Sequence, residues 1–433
     1  MFLYRLLSSI ALVLYAPLAL IRSVSGRRRL GNLRGRLGLL PYPDLAGGIW
    51  VHAVSVGEVH VARNLLTAMA KTSPGVRLGL SATTAAGLEA ARRVAGEGFA
   101  FFSFPLDLAG PVEKSLSAVR PGVLVLTETE LWPLLIDRAR RRGVTVALVN
   151  GRVSQRSFER YRLVRSWFGR VLENISLFAM QSEEDARRIR ELGAPADRVL
   201  VTGNIKYDAA PPGAFPDARR LRSAAADRPV LVAASTGQGE EEIILEAWAT
   251  LDPRPFLAIA PRRPERFDAV ASLIESRGFR VIRRSSPDPV PSDHESRNTD
   301  QQSPIYLLDS IGELASLYGE ANLAFLGGSL VPSGGHNPIE AWAAGVPVLV
   351  GPHTQNFRSI TRSGEEIGIL ERVSDARSLA HACGLVLHDP ASAAARGERA
   401  RRFVAENRGA AASTAKAVGK LLAGEPEARA TAP

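Results

Sequence analysis

Short runs of β-branched and apolar residues alternate with stretches of helical period, and the alternation occurs twice along the chain. The first series is Ile49–Val54, Val76–Ser81, Val123–Thr127, Val144–Val149, Leu177–Met180 and Val199–Thr202, with helical segments such as Val59–Lys71 and Ala85–Val94 between. The second series follows Pro229: Val230–Ala234, Phe256–Ala260, Phe279–Ile282, Ile305–Leu308, Ala321–Leu326 and Val346–Val350. Strands separated by helices pair in parallel, because each return crosses over through a helix. The pattern therefore predicts an α/β chain with two doubly wound domains. At 433 residues with 45% apolar content, the chain can fill both cores. Residues 27–210 form the expected first domain and 229–424 the second. The join, Tyr207–Arg228, is rich in Pro, Ala and Asp and carries no strand, so 211–228 reads as a linker. Residues 425–433 read as a disordered tail. Two such sheets predict a cleft between them, with ligands outside the carboxyl ends of the strands.

Gly327–Pro352 is the densest signal at such a carboxyl end. Glycines after the run Ala321–Leu326 let the backbone turn sharply. Asn337 is a suitable N-cap and Pro338 a suitable first helical residue, so a helix is expected from there to Gly345. Free N–H groups at such a turn suit a phosphate. No Gly-Lys-Ser/Thr or G-x-G-x-x-G follows, so this is neither a P-loop nor a dinucleotide fingerprint. A plain tight turn with an Asn337–Glu340 capping box is the competing reading.

Other polar residues also follow strands. Ser55-Val56-Gly57-Glu58 reads either as a capping box or as a carboxylate placed to take a proton from a hydroxyl. Glu128 and Glu130, in Thr127–Trp132, read either as helix-start and solvated acids or as a transition-state stabiliser at Glu128. Lys206, in Thr202–Lys206, suits a phosphate or carboxylate unless it is simply solvated. Pro261, Arg262 and Arg263 read as an anion clamp or as helix-start charge. Ser235–Glu240 and Ser310–Glu313 open two further helices. His336 and His353 lack metal-ligand spacing, and His336 reads as a loop residue that hydrogen-bonds. Cys383 is the sole cysteine, which excludes an internal disulfide framework and a cysteine-based zinc site.

The charge balance is basic: 54 Lys and Arg against 44 Asp and Glu give +10. This suits an anionic partner; no aromatic-interleaved basic motif points to nucleic acid. Leu6–Ile21 is apolar, and Arg22, Arg27, Arg28, Arg29, Arg34 and Arg36 follow it, while only Arg5 precedes it. The stronger positive flank after the apolar run disfavours a cleaved signal peptide. It fits an anchor in residues 1–26 with the remainder on the cytoplasmic face, over anionic headgroups. A soluble amphipathic helix is the alternative. Ser285–Ser303 reads as a polar, Pro-rich insertion, and Asp389–Leu422 as helical and Ala-rich.

Taken in order, HAVSVGE, TETELWP, VNGRVSQRSF, GNIKYD, PRRPERF, SIGELASLY and GGSLVPSGGHNPIE resemble the 3-deoxy-D-manno-octulosonic acid (Kdo) transferases of lipopolysaccharide assembly. The resemblance runs from the N-terminal segment to about Glu366. It implies a GT-B glycosyltransferase fold, with two Rossmann-like domains and an anchor on the inner membrane. It implies CMP-Kdo as donor and a glucosamine hydroxyl of lipid IVA as acceptor, with inversion and without metal or cofactor. Position by position, it makes Glu58 the proton acceptor and Glu128 and Lys206 the transition-state stabilisers. It assigns CMP to Pro261 and Arg262, to Ile311, Gly312 and Glu313, and to Asn337, Pro338, Ile339 and Glu340. Two positions depart from the family pattern: Gly237-Gln238 stands where His-Pro is usual, and Arg263 where His is usual. Two other functions remain open on sequence: a different GT-B enzyme acting on a UDP-sugar, such as a UDP-GlcNAc 2-epimerase, and a membrane-tethered binding protein without turnover.

Overall fold

Strand pairing is parallel throughout both sheets. The structure is a computed structural model and describes residues 33–94, 98–208, 213–286 and 303–424. The expected anchor, the tail 425–433 and most of the 285–303 insertion lie outside the described residues. Among the described residues, no helix is long and apolar enough to cross a membrane. The chain divides into two units, 1–208 with 407–433, and 209–406.

The first unit contains β1 (Ile49–Ala53), β2 (Leu78–Ala82), β3 (Ala100–Ser103), β4 (Val123–Thr127), β5 (Thr145–Gly151), β6 (Leu177–Met180) and β7 (Val199–Val201). They lie in the order β3-β2-β1-β4-β5-β6-β7. Successive side chains of a strand point to opposite faces. Trp50, Leu124 and Leu126 accordingly fill one core, and Ile49, Val51, Val123 and Val125 the other. Both faces are covered, as a parallel sheet requires. The last helix, Ala410–Ala423, falls within the expected second domain 229–424, though its Ala-rich stretch also reads as one that packs back across the junction. It supplies Ala411, Ala415 and Val418 to the second of these cores and belongs to the first unit. Asp208 takes the free N–H groups at its start: the backbone N–H groups of Gly409 and Ala411 each donate to its carboxylate at 2.6 Å.

The second unit contains β8 (Val230–Thr236), β9 (Phe256–Pro261), β10 (Val281–Arg283), β11 (Ile305–Leu307), β12 (Leu323–Leu326), β13 (Val348–Val350) and β14 (Leu370–Arg372). Their order is β10-β11-β9-β8-β12-β13-β14. Leu231, Leu257, Leu323, Phe325 and Leu349 form the core of one face. In the expected linker, Ala218–Ala225 is a helix that buries Leu221, Ala224 and Ala225. Each sheet has a point where its strand order reverses, between β1 and β4 and between β8 and β12. The segments that leave these strands carry most of the residues singled out above.

Candidate active site

At the reversal point of the first sheet, β1 leads through Val54 and Ser55 into the helix Val56–Thr72. The capping box is formed: the Ser55 hydroxyl accepts from the Glu58 N–H, and the Glu58 carboxylate reaches back to the backbone. That carboxylate is nearly buried and accepts from the N–H groups of Val54 (2.9 Å) and Ser55 (3.3 Å) and from the Ser55 hydroxyl (2.8 Å). The fourth donor comes from the adjacent strand. The buried Thr127 hydroxyl lies 3.1 Å from Glu58 Oε2 and 2.8 Å from the carbonyl oxygen of His52. A hydroxyl carries one proton and serves only one of these acceptors at a time. When Thr127 donates to His52, a lone pair of Glu58 Oε2 is released. The Glu58 carboxylate is thus held against its own turn by Val54 and Ser55 and faced by Thr127.

Glu128 follows β4 with φ of 55°, in the left-handed region that non-glycine residues rarely adopt. Its carboxylate receives the Lys206 ammonium at 2.8 Å. In the sheet, Lys206 comes from beyond β7, three strands from β4. Asn150, at the end of β5, spans the gap. It too is left-handed (φ 51°), and its buried Oδ1 accepts from the Ile205 N–H at 3.0 Å. Asn150 therefore draws the turn Ile205–Asp208 back over the sheet and presents Lys206 to Glu128. The sequence marked the end of this strand without revealing that contact. Glu130 completes the corner. Burial, then the charges of Glu58 and Glu128, push its carboxyl up to about 7. Behind the site, His52 stacks on Phe104 at 3.5 Å, and burial holds the imidazole down at about 3, hence neutral. The structure pairs Glu128 with Lys206, joins Glu58 to Thr127, and sets Glu58 and Glu128 near enough for both charges to act on Glu130.

In the second unit, the turn after β12 departs from expectation. The N–H groups of Gly328 (2.6 Å), Ser329 (3.0 Å) and Leu330 (2.9 Å) are not free; all three donate to the buried carboxylate of Glu240. The helix beyond starts at Ile339, and Asn337 Oδ1 accepts from the Ile339 N–H at 3.2 Å in place of the expected capping box with Glu340. It ends at Gly345 (φ 79°), as the sequence predicts.

Pro261 closes β9, and the Arg262 N–H donates to the Thr236 carbonyl at 3.0 Å. The Arg262 guanidinium acts on His336 and Glu340. Burial first, then Arg262, holds the His336 imidazole down at about 4. Burial pushes the Glu340 carboxyl up against the opposing pull of Arg262. Ile311 is 67% exposed and Gly312 is left-handed (φ 91°). Burial would raise the carboxyl of Glu313, but Arg284, at 2.9 Å, and the Ser310 hydroxyl hold it below the ordinary range. Arg266 forks onto the buried Glu241 at 2.5 and 2.9 Å, so it is committed within the fold. Of the positions that depart from the resembled pattern, Gln238 and Arg263, but not Gly237, line one open concavity with Glu242, Pro264 and Glu265. Among the described residues, no three His, Cys, Asp or Glu cluster in a way that could hold a metal.

The two parallel α/β units, each with a reversal of strand order, have GT-B glycosyltransferases among their structural neighbours. A solved glycosyltransferase of kitacinnamycin is 16% identical, with a TM-score of 0.54 over 88% of this chain and 100% of that one. The solved UDP-GlcNAc 2-epimerase from Neisseria meningitidis, bound to UDP-GlcNAc, is 12% identical, with a TM-score of 0.54 over 87% and 100%. Both likenesses are of fold alone. Residues 31–209 match the family model of 3-deoxy-D-manno-octulosonic-acid transferase (kdotransferase), and residues 294–403 match glycosyl transferases group 1. The 3-deoxy-D-manno-octulosonic acid transferase of Haemophilus influenzae is 36% identical over 90% of both chains. That of Bordetella pertussis is 34% identical over 89% of this chain and 90% of its own. The chain belongs to the 3-deoxy-D-manno-octulosonic acid transferase family.

Proposed function

We propose that the protein transfers Kdo from CMP-Kdo to a glucosamine hydroxyl of lipid IVA in lipopolysaccharide biosynthesis. It does so with inversion and without a metal ion. The observation that carries this reading is that Glu58 and the Lys206-paired Glu128 stand near enough for both charges to act on Glu130, at the reversal point of the first sheet. Glu58 takes the proton of the acceptor hydroxyl as its oxygen attacks the anomeric carbon of Kdo. The bond from that carbon to the phosphate oxygen breaks, CMP leaves with the electron pair, and Glu58 passes its proton to water. Attack opposite the leaving group inverts the configuration.

Lys206 offsets negative charge as the transition state forms, and Glu128 holds it in place. Pro261 and Arg262, Ile311–Glu313 and Asn337–Glu340 bind CMP. The apolar segment Leu6–Ile21 and the arginines after it support a single anchor in the inner membrane, with the catalytic units on its cytoplasmic face.

The test is transfer of labelled Kdo from CMP-Kdo to lipid IVA, with the product weighed by mass spectrometry and chelator present throughout. Glu58→Gln, folded by circular dichroism, should lose about 10²–10⁴-fold in rate. Full activity in that variant would remove Glu58 from the chemistry. Preferential calorimetric binding of UDP over CMP would favour the UDP-sugar alternative.

A further inference from the structure

Glu240 opens the helix Glu240–Ala249 after β8, and it is fully buried. Its carboxylate accepts four backbone N–H bonds. One comes from Gly237, in its own turn, at 2.8 Å. The other three come from the consecutive residues Gly328, Ser329 and Leu330, in the turn after the neighbouring strand β12. Consecutive N–H groups converging on one point form a cradle for an anion. Here the chain fills the cradle with its own carboxylate.

Both turns are shaped to admit it. A Cβ on Gly327 would stand 2.6 Å from the Ser235 carbonyl oxygen and 2.8 Å from Glu240 Oε2. Ser235 itself is left-handed, with φ of 55°. The order propagates onward. The Gly328 carbonyl accepts from the Gly335 N–H at 2.7 Å, immediately before His336. The Ser329 hydroxyl accepts from the Gly351 N–H at 2.8 Å. The segment that reaches Asn337–Glu340 is thus built outward from the bound carboxylate.

We propose that Glu240 is a positioning residue for the nucleotide donor. It occupies the place of a phosphate in the β12 cradle, so the donor phosphate is excluded from Gly328–Leu330 and left to Arg262 and the Asn337–Glu340 segment. This rests on the CMP-sugar reading above.

The experiment compares the native full chain with Glu240→Ala, which empties the cradle, and Glu240→Gln, which keeps it filled but uncharged. CMP binding is measured by calorimetry with and without added formate, a free carboxylate small enough for the vacated space. Glu240→Ala should bind CMP at least about tenfold more weakly than native, with formate restoring the affinity. Glu240→Gln should be weakened and not rescued. Native-like or tighter CMP binding by either folded variant overturns the proposal, as does formate that fails to restore binding to Glu240→Ala. If Glu240→Ala does not fold, the affinity of Glu240→Gln decides. Failure of the native chain to bind CMP would sink the donor reading instead. The cradle would then be judged by melting temperature: formate should raise that of Glu240→Ala and not that of Glu240→Gln, and equal shifts would overturn it.

Discussion

Glu130 shows what the acid corner costs the fold. Its carboxyl stands at about 7 against an ordinary 4.5, from burial and from the charges of Glu58 and Glu128. The folded state therefore binds this proton more tightly than the unfolded chain does. The resulting stabilisation is complete below pH 4.5 and is lost as pH rises through about 7. Glu130→Gln should accordingly melt above the native protein at pH 8 and level with it at pH 4, in paired thermal melts. The sequence singled out Glu128 of the two acids past this strand and left Glu130 without a role, because the neighbouring Glu58 charge that acts on Glu130 comes from another strand's end. Glu58 was legible as either a cap or a base, and the structure forms the cap. Asn150 was illegible: its role rests on a left-handed backbone and a partner 55 residues away.

Among the elements, the central strands were readable because burial on both faces makes them continuous apolar runs. The short edge strands Ala100–Ser103 and Leu370–Arg372 were not, since a half-exposed strand of three or four residues carries no distinctive pattern. The helix Ala218–Ala225 was hidden by its setting among Pro, Ala and Asp. Helix ends were subtler still. Asn337 looked like an N-cap, yet the helix begins only at Ile339. The helix Ala410–Ala423 starts at Gly409 (φ 99°), which offers no side-chain cap, and Asp208 substitutes from 201 residues upstream. Asp208→Ala should therefore destabilise that helix by ~1–2 kcal/mol. The change would be visible as earlier proteolysis near residue 409 and a lower first melting transition. Unchanged protease resistance would show the helix is held by its Ala411, Ala415 and Val418 contacts alone.

For the whole molecule, the alternation of strands and helices was enough to foresee two parallel sheets, and the seven motifs enough to foresee the family. The Ala-rich C-terminal stretch read as part of the second domain or as packing back across the junction, and Ala410–Ala423 does the latter. The answer makes residues 209–406 an excursion from a single body. Asp208 and Gly409, on either side of that excursion, touch at 2.6 Å. A gene that skips from Asp208 to Gly409 through two or three glycines should therefore give a shortened protein that still folds, with both cores of the seven-stranded sheet intact by amide exchange. In topological terms, the second unit is an insertion within the chain of the first.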